Sequence, residues 1–163
     1  YDRKLSVSEV SRRVEGYWRP YHTALADLID AAHAAHGRVI HVDCHSMASM
    51  GDRTTEDGAV PRPDFVVSDR DGTTCAPQIR DCVVGYLQSC GFTVSVNDPY
   101  KGFELVRRHG QPDQGRHSLQ IEVNRALYME EVTLSKKPNF VHMQQVLSDL
   151  ARVLGTWLNT LQH

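Results

Sequence analysis

Three stretches of this sequence hold residue types that can do chemistry. The first is Val42-Asp43-Cys44-His45-Ser46. Asp43 and His45 stand two apart, so on a strand they point to the same side. Imidazole is the commonest metal ligand, and a nearby carboxylate orients its second nitrogen. The alternative is a histidine that caps a strand and hydrogen-bonds a loop. Ser46 follows His45, but no G-x-S-x-G elbow frames it as a nucleophile. The second stretch is Ser118-Leu119-Gln120-Ile121-Glu122-Val123-Asn124-Arg125. Leu119, Ile121 and Val123 share one face, and Gln120, Glu122 and Asn124 share the other. A glutamate in mid-strand near a sheet end can serve as general base toward a metal-bound water. The alternative is the polar face of a solvated edge strand. The third stretch, Asn97 to Gly110, gathers Lys101, Arg107, Arg108 and His109. Arginine takes carboxylates in bidentate fashion. In a chain that is not basic overall, the cluster suits a small anion better than a polymer, or is an ordinary charged loop.

These side chains need elements to position them. Apolar residues recur at three-and-four spacing from Val10 through Val14, Tyr17, Trp18, Tyr21, Leu25, Leu28 and Ala32. That spacing predicts a helix over about 8–36, capped by Ser6 or Ser8, ended by Gly37 and kinked at Pro20. Residues 38–45 read as a strand, 46–63 as a long functional loop and 64–68 as a second strand. Asp69-Arg70-Asp71-Gly72 is a turn. Thr74 is the expected cap of a helix over about 75–90, with Pro77 in its first turn. Residues 92–96 alternate as a strand, 97–117 read as a connection, 118–124 as a strand and 139–161 as a last helix. Strands alternating with helices predict an α/β layered domain, a mixed sheet flanked by helices, as one unit over residues 1–163. In such sheets ligands bind beyond the carboxyl ends of strands, where His45 falls.

Composition narrows the classes. The 163 residues include 18 Lys and Arg against 20 Asp and Glu, for a net charge of −2. That balance argues against nucleic acid or a membrane surface as the main partner. No apolar run approaches the roughly 20 residues that span a bilayer, and the opening residues have no signal-peptide pattern. Cys44, Cys75, Cys82 and Cys90 form no C-x-x-C pair. They read as reduced packing residues, which fits a cytoplasmic setting. The G-x-G-x-x-G, P-loop and H-E-x-x-H signatures are absent, so nucleotide binding by those routes is unsupported.

Taken in order, Tyr17-Trp18-Arg19-Pro20-Tyr21-His22, Asp43-Cys44-His45-Ser46, Asp64-Phe65-Val66-Val67-Ser68-Asp69-Arg70-Asp71-Gly72-Thr73-Thr74-Cys75, Lys101-Gly102 with Arg108-His109-Gly110, and Leu119-Gln120-Ile121-Glu122 resemble the N-formylglutamate amidohydrolase family. The resemblance covers nearly the whole chain. It implies a fold like zinc carboxypeptidases and aspartoacylases and a zinc cofactor. It also implies hydrolysis of the amide of an N-acylated acidic amino acid, with His45 as a metal ligand and Glu122 as general base. Asp43 and Ser46 support that site, and Lys101, Arg108 and His109 border the substrate. Arg108 is chosen over Arg107 because adjacent residues of an extended segment face opposite sides. Arg108 also adjoins His109-Gly110, where glycine lets the backbone approach a ligand closely. Family members usually carry about a hundred further N-terminal residues with the remaining ligands, so the chain reads as the C-terminal portion of such a hydrolase. A non-catalytic anion-binding module and a peptide or cell-wall amidase are the competing readings. Oligomeric state is not legible.

Overall fold

The computed structural model describes residues 2–53 and 57–160. The expectations that touch Tyr1 and Leu161 fall outside that set. The chain divides into two compact units, Tyr1–Val39 and Ile40–His163.

In the first unit, α1 (Val7–Arg13) starts at a capping box, where the Ser6 hydroxyl accepts from Glu9 N–H and the Glu9 side chain accepts from Ser6 N–H. This arrangement satisfies two of the amides a helix start leaves unpaired. A π-helical turn over Val14–Trp18 joins α1 directly to α2 (Arg19–His36). This wider turn, closed by Arg19 N–H on the Val14 carbonyl, directly precedes Pro20. A proline within a helix lacks a donor and crowds the carbonyl four residues back. Widening the preceding turn relieves both conflicts and lets the helix continue. Gly37, at φ 70°, ends α2 in the left-handed conformation and donates to the His33 carbonyl, as glycine does at a helix C-terminus.

The second unit is built on a four-stranded sheet. Its strands are β1 (Val39–Met47, which begins at the last residue of the first unit), β2 (Phe65–Ser68), β3 (Val94–Val96) and β4 (Arg116–Asn124). The order across the sheet is β1-β4-β2-β3. β2 runs parallel to β3 and antiparallel to β4, with Val66 opposite Glu122 and Ser68 opposite Gln120. The helices are α3 (Pro77–Ser89), α4 (Glu104–His109) and α5 (Phe140–Thr160). The α/β class and mixed sheet expected from the sequence are present. Phe65, Val67, Leu119, Ile121 and Val123 of the sheet bury against Ile79, Val83 and Leu87 of α3 and Met143, Val146, Leu150 and Leu154 of α5. Burying each such side chain stabilises by about 1.5–3 kcal/mol. Helices thus fill the odd-numbered face of β4, and its even-numbered residues are left to the other face.

Four local expectations change. β4 is an internal strand, so the solvated-edge alternative for Glu122 is excluded. Thr74 does not cap α3. It is buried, its carbonyl accepts from Ser118 N–H, and Ala76 takes the cap position ahead of Pro77. The connection 97–117 contains α4, so Arg107 and Arg108 lie on a helix rather than an extended segment, and the opposite-sides argument for them fails. Glycines and prolines on either side hid a helix of only six residues. Of the cysteines, Cys75 alone is fully buried, whereas Cys44 and Cys90 are exposed rather than packing residues.

The turn after β2 is held by one buried acid. Asp69 is fully buried; its Oδ1 accepts from Gly72 N–H at 2.9 Å and Asn97 Nδ2 at 2.8 Å, and its Oδ2 from Arg80 Nη1 at 3.1 Å. A buried carboxylate survives when it is satisfied in this way. It stabilises the left-handed residues Arg70 and Asp71 that follow.

Candidate active site

The even-numbered side of β4 presents Ser118, Gln120, Glu122 and Asn124, all buried. The alternation in the sequence that set these apart from Leu119, Ile121 and Val123 is the cause. Glu122 is 7% exposed, and its neighbour across the strand pair is the fully buried Val66. Gln120 Nε2 donates to Glu122 Oε1 at 3.0 Å. Burial pushes the Glu122 carboxyl above the usual carboxylate range. His45 pulls it back, Asp43 pushes it up, and Arg125 and Arg62 pull it down in smaller measure. A carboxyl raised by burial among such partners is a candidate proton carrier.

β1 supplies the facing groups. His45 Nε2 lies 3.2 Å from Asp43 Oδ1, with the imidazole half exposed and the carboxylate largely buried. The two-residue spacing therefore does what the sequence suggested, and both residues act electrostatically on Glu122. Two residues back on the same side, His41 Nδ1 is 2.8 Å from Ser118 Oγ, and its ring meets that of the buried His109 edge-on at 5.7 Å. Desolvation lowers the His41 pKa, so the ring is biased toward neutral. Ser46 and Cys44 are exposed on β1 and line, with His45, Val123, Tyr128 and Met143, a pocket of about 610 Å³ beside α5.

The remaining expected residues gather less tightly. Lys101 Nζ pairs with Asp71 at 2.9 Å on the surface. Arg107 pairs with Glu104 on its own helix at 2.7 Å, and Arg108 is exposed. The arginines that reach Glu122 electrostatically are Arg62 and Arg125. Arg62 is nearly buried, held by Asp57 through Nε at 2.7 Å and Nη2 at 3.0 Å and stacked over the Tyr100 ring. Sequence reasoning missed Arg62 because its place depends on backbone hydrogen bonds from Arg62 to Ser49 and from Gly51 to Val60, which spacing does not encode. It missed the part of Gln120 although the period-two pattern had already placed it beside Glu122.

A zinc ion tests the donor set. Among the described residues no group of three His, Cys, Asp or Glu side chains converges as metal ligands. A catalytic zinc takes three protein ligands plus water. His45 offers one imidazole, oriented by Asp43, so these residues alone do not complete such a site. Elemental analysis of the 163-residue chain after dialysis should find zinc far below one per chain. Tightly held stoichiometric zinc would reveal local ligands such as His41, Cys44 or His109.

A family model described as N-formylglutamate amidohydrolase matches residues 1–129. The chain belongs to this family. It is 29% identical over 155 residues to the N-formylglutamate deformylase of Pseudomonas putida, across 93% of this chain and 57% of that protein. It is also 29% identical over 127 residues to the deformylase of Pseudomonas aeruginosa, across 77% of this chain and 47% of that one. The crystal structure of N-formylglutamate amidohydrolase from Ralstonia eutropha JMP134 matches with a TM-score of 0.89 at 42% identity, over 98% of this chain and 57% of its own. A gene product of Agrobacterium tumefaciens shares the fold, with a TM-score of 0.70 at 21% identity over 98% of this chain and 57% of its own. The chain thus spans about half the length of the curated N-formylglutamate deformylases it matches. No helix among its described residues is long and apolar enough to cross a membrane.

Proposed function

We propose that this chain carries the proton-transfer half of an amidohydrolase site that cleaves N-formylglutamate to glutamate and formate. The observation that carries the reading is Glu122: a carboxylate buried on an internal strand, raised by burial, and facing the Asp43–His45 pair. Family membership supports the substrate class. In hydrolysis, Glu122 takes a proton from the attacking water and delivers it to the departing amine. Burial, by raising its pKa, makes the carboxylate a stronger base for the first step. Asp43 orients the His45 ring, which would offer one imidazole to a zinc if the remaining ligands came from outside these residues. The reading places the protein in the cytoplasm, where reduced cysteines persist.

The substrate's carboxylates call for cations. In this proposal they come from the α4 region, with Arg108 making the contact and Lys101 and His109 beside it. Arg108 is chosen because it stands in the stretch Arg108-His109-Gly110 that carries the family resemblance. Arg108→Ala in the full-length protein should lower kcat/KM on N-formylglutamate by about tenfold to a hundredfold, the worth of a charge-assisted hydrogen bond. A neutral N-formyl amino acid should lose much less, and Arg107→Ala should change little on either. Equal small losses for both variants on every substrate would reduce the cluster to a solvated charged surface.

The decisive assay is formate release by the full-length protein from N-formylglutamate, set against N-formylleucine and a short acylated peptide. Preference for the acidic substrate supports the reading. Preference for the peptide would favour a peptide amidase, and no release from any of them would favour an anion-binding module.

A further inference from the structure

We infer that Gln120 is the positioning residue for Glu122, tying one carboxylate oxygen so that the other is left to carry the proton. The inference rests on the proposed function above and adds a second residue to it. The contact is direct, Gln120 Nε2 to Glu122 Oε1 at 3.0 Å, with each residue only 7% exposed. Two residues apart on β4, they lie on the same face, and the antiparallel register sets Ser68 across from Gln120 and Val66 across from Glu122. Neither neighbour competes for the carboxylate. Val66 has no donor, and the Ser68 hydroxyl is given to the Tyr100 carbonyl at 2.6 Å. Among the described residues, Gln120 therefore supplies the side-chain hydrogen bond to Glu122. Asp43, His45, Arg125 and Arg62 act on the carboxylate through their charges.

The chemistry of the donor matters. A lysine or arginine at position 120 would hold the carboxylate ionised and blunt it as a base. An amide fixes the geometry through a dipole alone. It also has both a donor and an acceptor, so by turning over it can serve the carboxylate when ionised and the carboxylic acid when protonated. A proton carrier passes through both states in each cycle. A buried glutamine that merely filled space would need some partner for its amide, but not this one.

The test is Gln120→Met in the full-length protein, which keeps length and apolar bulk but removes the donor. Steady-state kinetics on N-formylglutamate should show kcat lowered about tenfold to a hundredfold with KM within about twofold. The same change in a Glu122→Gln background should add almost nothing, because residues acting as a unit are non-additive. Unchanged kcat, or an equal further loss in that background, would overturn the inference. If the methionine variant does not fold by circular dichroism, Gln120→Leu is judged by the same criteria. The two readings fail separately. Retained activity in Glu122→Gln alone would sink the proposed function, whereas loss there with none in Gln120→Met would sink only the role of Gln120.

Discussion

Glu122→Gln in the full-length protein should lower turnover of N-formylglutamate by about 10²–10⁴, the usual worth of a general base. Metal content and fold should stay as they are. The amide matches the carboxylate in shape, and its carbonyl still accepts from Gln120 Nε2, now 3.0 Å from Oε1. Stability should move the other way. Burial raises the folded-state pKa of Glu122 above its ordinary value of 4.5, so the folded chain holds the proton more tightly than the unfolded chain. The stability this gives is fully present below about pH 4.5 and is lost as pH rises through the folded-state value. At neutral pH the ionised carboxylate is therefore a burden that the substitution removes. Melting curves should show the variant more stable than the parent at pH 7, with the difference closing by pH 4. For a chain of this size, about 1 kcal/mol moves Tm by about 2–4 °C. Activity within a few fold of the parent would remove Glu122 from the mechanism.

Gly110→Ala should be strongly destabilising. Gly110 follows α4 at φ −84°, a conformation open to any residue, so its need for glycine is one of proximity. An added Cβ would lie 2.6 Å from the Thr74 carbonyl oxygen and 2.7 Å from Thr74 Cα. Those are backbone atoms, and the same Thr74 carbonyl accepts from Ser118 N–H at 2.8 Å. They cannot swing aside as a side chain could. Overpacking of this kind costs about 1–3 kcal/mol, and the backbone contact places this case at the upper end. Thermal unfolding should show Tm lowered by about 6–12 °C, with Gly85→Ala, where a Cβ meets nothing within 4 Å, as the harmless control. A fall of under 2 °C for Gly110→Ala would mean that α4 shifts freely. Gly110 does permit a close backbone approach, and in this structure it is to the protein's own Thr74.

What the sequence disclosed follows from the range of the forces involved. Alternation along Ser118–Asn124 announced both the buried Leu119, Ile121 and Val123 and the polar face with Glu122, because side-chain direction in a strand is local. The Asp43–His45 contact was legible for the same reason. The α/β class emerged from the periods of its long helices and strands, α2 and α5 most of all. The rank of β4 within the sheet was not legible. A strand's neighbours are set by connections, and β4 enters between β1 and β2, which precede it by far in the chain. The π turn before Pro20 stayed hidden because apolar spacing tolerates one extra residue in a turn. The Asp69–Arg80–Asn97 cluster joins three segments, and no local pattern links them.

The position of β4 has a consequence for how the site holds its shape. Glu122 rides on a strand bonded on both flanks, while His45 rides on β1, which ends the order of strands. Fluctuations that open a sheet begin at its margins, where a strand gives up one ladder instead of two. Glu122 therefore belongs to the slowest-exchanging part of the unit, and the imidazole of His45 to a faster one. Any breathing of this site changes the distance between them by moving the histidine, with the glutamate as the fixed point.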